Sequence, residues 1–299
     1  MRLMKKLLLG AFVSAAFLGC ATTGVDKAVL EAAMAPGPIN WNNWYVSVPL
    51  ENAEGNGKAT SIFTEDIVNN NFTDEQKKYF MTNEDGSYTL FTHFTGYTTS
   101  GQYDFRKSGK YCRTELREFY RGNQDTNDNW SMDEGLHQME STLKVEYLPE
   151  KVKGTYVAQI HGISDEYTKE NTVRTGNPAT VKVLYQPGGD LLIEYYRAPA
   201  ENPDEKEWTS SAHEKIQIGN VGNEVFTIKL KVENGVLYYG LTCEAKGIDV
   251  GYKKLYNYAK NGYNYRNYFK TGNYFGYNVD GEKYSQVVLF DVKTFHSNN

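Results

Sequence analysis

The run Tyr111-Cys112-Arg113-Thr114-Glu115-Leu116-Arg117-Glu118-Phe119-Tyr120 restricts what this chain can become more than any other stretch. Strand side chains alternate, so Arg113, Glu115 and Arg117 share one face while Cys112, Thr114 and Leu116 share the other. Buried charges are tolerated only when paired and hydrogen-bonded. A strand carrying three ionisable groups on one side therefore lines an open cleft, or else forms an outward ladder of cross-strand salt bridges. Other parts of the chain decide between the two.

The composition points to strands. Against 8 Pro and 6 Met stand 24 Tyr, 14 Phe and 27 Gly, and aromatic residues suit a pleated, half-buried surface while glycines serve its turns. At 299 residues an all-β chain can bury a full core as one main domain. The formal net charge of -5 excludes a general nucleic-acid binder, whose domain is strongly basic. An anionic ligand would have to meet a local cationic patch.

The first residues, Met1 to Lys6, carry positive charge, and Leu7 to Leu18 form an apolar stretch too short to span a bilayer, the pattern of an export signal. It ends Ala16-Phe17-Leu18-Gly19-Cys20, which resembles a bacterial lipobox. That resemblance implies a signal peptide over 1–19, a lipidated Cys20 as the membrane anchor and, with Ala21 following, outer-membrane or cell-surface sorting. Residues 20–38, small and ending Pro36-Gly37-Pro38, read as a flexible tether, and the folded domain as 39–299. Cys112 and Cys243 remain: in an oxidising compartment they can pair as a disulfide or stay two buried free thiols.

The spacing predicts one short helix after the cap Thr73 and strands over most of the rest, with hairpin turns at 186–190 and at Glu233-Asn234-Gly235. Two packed antiparallel sheets follow. Ala198 to Glu207 reads as a surface loop and Tyr252 to Tyr265 as a mobile flap.

Two further motifs carry reactive groups on one strand face. In Val157-Ala158-Gln159-Ile160-His161-Gly162, Gln159 and His161 point the same way. In Asn267 to Phe275, Tyr268, Lys270, Gly272 and Tyr274 do so, with Gly272 permitting close approach of a ligand or backbone. Alone, each is more often structural than catalytic: a satisfied histidine, or an aromatic surface with a snorkelling lysine.

Together and in this order, the three motifs resemble polysaccharide lyase family 7, the alginate lyases. That family's R-[ST]-E-[LV]-R, Q-[IV]-H and Y-F-K-A-G-x-Y-x-Q strands are matched by Arg113 to Arg117, Gln159 to His161 and Tyr268 to Tyr274. Thr271 stands where Ala is usual, and Gly276 where the final Gln is expected. The resemblance implies a β-jelly-roll sandwich whose concave sheet holds an acidic polysaccharide. It further implies β-elimination of 4-linked polyuronate (alginate), giving 4,5-unsaturated ends. Arginine's planar fork suits a uronate carboxylate, and tyrosines can stack on sugar faces.

The expected roles are these. Arg117 and Gln159 neutralise the substrate carboxylate, Arg113, Lys270 and Tyr268 help bind it, and Glu115 holds the arginines. Tyr274 is the general acid, and His161 or Tyr274 the base. A phenol of ordinary pKa about 10 needs a nearby cation to act as a base. His93, His137, His213 and His296 receive no chemistry. No metal or cofactor is expected, and a monomer is. The alternatives are a lyase for another polyuronate such as glucuronan, or a surface lipoprotein that binds glycans without cleaving them.

Overall fold

A computed structural model describes residues 26–35, 37–163, 179–196, 213–261 and 265–297. Cys20 and the expected loop from Ala198 to Glu207 lie outside them. In chain order the strands are β1 (Trp44–Glu51), β2 (Ala59–Ile62), β3 (Phe80–Thr82), β4 (Tyr88–His93), β5 (Tyr97–Thr98) and β6 (Gly101–Gln102). Then come β7 (Arg113–Glu118), β8 (Trp130–Ser131), β9 (Leu136–Tyr147), β10 (Thr155–Ile163), β11 (Val181–Tyr185) and β12 (Asp190–Tyr196). The last six are β13 (His213–Asn220), β14 (Phe226–Glu233), β15 (Val236–Cys243), β16 (Ile248–Asn257), β17 (Arg266–Phe275) and β18 (Tyr284–Ser297).

They form two large antiparallel sheets, a jelly roll. One runs β13-β12-β11-β10-β17-β7-β1-β2 with β8 joined to β17, and the other β16-β15-β14-β9-β18-β4-β3. The alternation of β14 shows why: Phe226, Ile228, Leu230 and Val232 are buried between the sheets and the residues between them are not. Asn234 (φ 46°) and Gly235 (φ 76°) make the tight turn into β15, a two-residue loop in which both φ values are positive.

Polar side chains also tie the layers together. Buried Asn273 in β17 donates to the Leu90 and Ser285 carbonyls, both at 2.9 Å, and accepts from Thr155 Oγ1 and Ser285 Oγ. Every one of its side-chain polar groups is thereby engaged. Thr271, the departure from the family's Ala, donates to the Val157 carbonyl and so accepts from Ser141 Oγ of β9 at 2.7 Å. Its hydroxyl bridges the two sheets.

The short helix forms over Asp74–Lys77 with a capping box between Thr73 and Gln76. Two others, Thr64–Val68 and Lys27–Met34, were not expected, and the second corrects the reading of 20–38 as flexible throughout: Asp26 caps it by accepting from the Ala28 N–H at 2.9 Å. One further expectation is corrected, and one open alternative is decided. Tyr252 to Asn257 is no flap: it belongs to β16, the edge strand of the sheet away from the three motifs, where Tyr252 donates to Glu140 at 3.2 Å. Alternation there is weak in sequence because an edge strand buries little. Cys112 and Cys243 are both free. Cys112 donates to the Tyr97 carbonyl at 3.3 Å, while Cys243 ends β15 in the opposite sheet.

With no bridge between these cysteines, a thiol reductant is expected to leave the thermal unfolding midpoint of the folded domain unchanged. Differential scanning calorimetry with and without reductant checks this.

Candidate active site

Register brings the three motifs together. Lys270 of β17 lies opposite Arg117 of β7, Gly272 opposite Glu115 and Tyr274 opposite Arg113. On the other side of β17, Gln159 of β10 lies opposite Lys270, and His161 opposite Tyr268. Antiparallel partners project to the same face, so all nine predicted positions, eight side chains and Gly272, share the outer surface of the nine-stranded sheet.

Gly272 makes the tight lateral packing possible. Its φ is +137°, and a Cβ there would sit 2.9 Å from the Thr114 carbonyl oxygen and 3.0 Å from Glu115 Cα. The close approach is thus to backbone.

Glu115 is the hub. Fully buried, it accepts from Arg113 Nη1 at 3.1 Å, from Lys270 Nζ and from Gln159 Nε2. The expectation that it holds both arginines is corrected: it holds Arg113. Arg117 is fixed by donating to the Glu118 carbonyl (2.8 Å), the Thr126 carbonyl (2.7 Å) and Asn129 Oδ1 (3.0 Å). A guanidinium has five N–H groups in a fixed fork, so Arg117 retains donors beyond these three. Arg113 has a buried Nε with no partner.

Above this floor stand rings. The Arg113 guanidinium lies 3.8 Å from the centre of the Tyr274 ring, and that of Arg117 lies 4.1 Å from Tyr268. Tyr268 stacks on His161 with centroids 5.4 Å apart. Arg113, His161, Tyr268 and Tyr274 remain half-buried, open to a ligand.

Protonation follows from the surroundings. His161 Nδ1 lies 2.9 Å from the Gly162 carbonyl, which only accepts, so Nδ1 carries the proton and Nε2 a free lone pair. Burial, then the charge of Lys270, pushes the His161 pKa down to about 3, leaving the ring neutral. Burial raises the Tyr274 phenol and outweighs Arg113, which opposes the rise. The cation imagined as making Tyr274 a base is present, yet in the unliganded chain this hydroxyl keeps its proton. Burial, with Arg113 adding to it against Glu115, brings Lys270 down to about 8.

Beneath the floor lies a network unseen in the sequence. Glu118 accepts from His296 at 2.7 Å, from the Phe269 N–H at 2.9 Å and from Trp130 at 3.2 Å. Burial raises Glu118, but His296 and these hydrogen bonds bring it below the usual carboxylate range. His296 and His137 meet through Nδ1 at 2.9 Å, and His137 donates to the Glu134 carbonyl at 2.6 Å. These two histidines brace the strand end that presents Arg117. The sequence also hid Tyr156. Strict alternation back from Gln159 puts Val157 on the groove face, whereas a register shift between Tyr156 and Ala158 turns Tyr156 outward beside Tyr274, with ring centroids 5.5 Å apart.

The site is an open surface. A cavity of about 960 Å³ lies elsewhere, against Phe226, Thr242 and Ile248, and contains none of the three motifs. Among the described residues no cluster of three or more His, Cys, Asp or Glu is arranged to hold a metal.

The sequence profile of the family described as alginate lyase matches residues 39–296. No curated protein matches the chain by sequence. The fold superposes on a family 7 alginate lyase in complex with product (GGG) at TM-score 0.65 and 23% identity, covering 87% of this chain and 97% of that one. An alginate lyase from Corynebacterium sp. gives 0.57 and 22% over 87% and 96%. One from Pseudomonas aeruginosa gives 0.59 and 19% over 86% and 100%.

Glu115→Ala strands two cations in a buried place, so a loss of about 3–5 kcal/mol is expected, read by urea denaturation. Any activity at this site is expected to fall as pH rises through about 8, where Lys270 loses its charge, and Lys270→Arg to remove that limb because arginine does not titrate there. A kcat/KM profile against pH checks it.

Proposed function

The chain belongs to the alginate lyase family, polysaccharide lyase family 7, and from that membership we propose how its groove cleaves alginate. The enzyme is a polysaccharide lyase that breaks 4-linked polyuronate by β-elimination. One observation carries the assignment of roles: guanidinium, amide, imidazole and phenol from three strands converge on one stretch of groove.

In this reading the uronate carboxylate lies against Arg113, Arg117 and Gln159. Elimination removes the C5 proton, and the electron pair left behind delocalises into that carboxylate as a second negative charge. Donors already in place where the charge develops stabilise it without reorganisation. The C4–O4 bond then breaks, and the departing oxygen takes a proton.

Tyr274, protonated and beside Arg113, serves as the acid. His161 Nε2, neutral and bare, accepts the C5 proton where it lies opposite O4, as in guluronate. Where proton and O4 share a side, as in mannuronate, Tyr274 serves both steps if bound substrate shifts its balance toward phenolate. Tyr268 and Lys270 support binding, and Glu115 orients Arg113, Lys270 and Gln159. All these residues come from one chain, so a monomer suffices.

We further infer that residues 1–19 direct export and that Cys20 is lipidated, tethering the domain to the outer membrane through residues 20–38. Support comes from the charged start, the apolar stretch and the lipobox-like Leu18-Gly19-Cys20.

Incubating the domain with poly-mannuronate, poly-guluronate and glucuronan while following ultraviolet absorbance of the new double bond tests the activity. Signal on alginate is expected, and none on any of the three sinks the reading. Tyr274→Phe is expected to lower kcat by about two to three orders of magnitude, the range for loss of a preorganised catalytic donor. His161→Ala is expected to depress guluronate cleavage more than mannuronate cleavage. Full activity in Tyr274→Phe overturns the acid assignment.

A further inference from the structure

The groove-face row of charged residues does not stop at Gln159. Lys182 of β11 lies opposite Gln159, Glu194 of β12 opposite Lys182, and Lys215 of β13 opposite Glu194. Glu194, 2% exposed, pairs with Lys182 at 2.9 Å and Lys215 at 3.0 Å. This repeats the Glu115 arrangement, one buried carboxylate gripped by two cations. It lies four strands further along the sheet, about 19 Å away at ordinary strand spacing.

A third lysine joins them. Lys153 and Lys182 lie 5.2 and 5.1 Å from the centre of the Tyr156 ring, and Tyr156 in turn neighbours Tyr274. Lys153 makes no ion pair among the described residues. It occupies space that Gly276 leaves: a Cβ on Gly276 would sit 3.1 Å from Lys153 Cβ and 3.0 Å from the Gly154 carbonyl oxygen. Gly276 is the position where the family pattern carries Gln. The side chain missing just past β17 is thus replaced, in the same place, by a cation from the residues just before β10.

Among the described residues, three ammonium groups to one carboxylate leave this end of the groove positive in a chain of net charge -5. Such an excess repels itself unless an anion joins it. We propose that Lys153, Lys182 and Lys215, with Tyr156, form a second carboxylate-binding station beyond Tyr274, seating a uronate unit several sugars from the one being cleaved. The station rests on the polyuronate-lyase reading, and it makes Lys153 a residue that sets how much chain this groove prefers. A lysine is a flexible point charge, so it selects for a carboxylate without demanding a bidentate pose.

The test measures binding apart from turnover. In a Tyr274→Phe background, calorimetry compares a short oligouronate, a long one, and the long one with its carboxyls reduced to alcohols. Lys153→Ala and Lys182→Ala are each expected to weaken the long acidic ligand about tenfold. They are expected to flatten its salt dependence and shift the carboxyl-reduced ligand far less. Lys153→Arg is expected to restore affinity, and in the otherwise unaltered chain Lys153→Ala to raise KM for polymer more than it lowers kcat. Circular dichroism of each variant separates misfolding from lost contact. Long-ligand affinity equal to the parent in both Ala variants, or an equal loss with the carboxyl-reduced ligand, overturns the station. Turnover persisting in the Tyr274→Phe background counts against the acid assignment alone, and the KM comparison then decides.

Discussion

The buried carboxylate of Glu115 is the contact on which the groove depends. It gathers Arg113 of its own strand, Lys270 of β17 and Gln159 of β10. Three adjacent strands are thereby fixed in register by one side chain. A buried charge is costly alone and acceptable when fully paired. This one is fully paired, and its partners are thereby held in fixed positions. A second consequence is electrostatic. Glu115 offsets part of the positive charge, so that Arg113, Arg117 and Lys270 can share one face of the sheet.

That floor is held from below. Asn273 and Thr271 hydrogen-bond into the opposite sheet and its edges, and Glu118 draws in His296 and Trp130. Such links are directional where hydrophobic packing is not. They set the height and angle of β17 and β7 relative to the layer behind them. Preorganisation of this kind lets a polar site meet developing charge without rearranging.

An acidic protein that binds a polyanion must concentrate its cations. Here the register does so, lining up Arg117, Lys270, Gln159, Lys182, Glu194 and Lys215 across six strands. Interspersed carboxylates keep the row from repelling itself apart. Half-buried tyrosines flank it with apolar faces for sugar rings.

Alternation within single strands was legible from the chain alone. Arg113, Glu115 and Arg117 had to share a face, as did Gln159 with His161 and Tyr268 with Tyr274, because side-chain period in a strand is fixed by backbone geometry. Composition and turn chemistry likewise determined an all-β sandwich and the Asn234-Gly235 hairpin. What lay beyond reach was everything set between strands. Which residues face one another depends on register, and a bulge such as the one at Val157 reverses the phase of every residue beyond it. Tyr156 was hidden for that reason, and Lys182 and Glu194 because their partners lie on other strands. Whether two cysteines meet, whether a Tyr-rich stretch is a flap or an edge strand, and which proton sits on His161 are likewise matters of distance. Only the folded arrangement of strands supplies it.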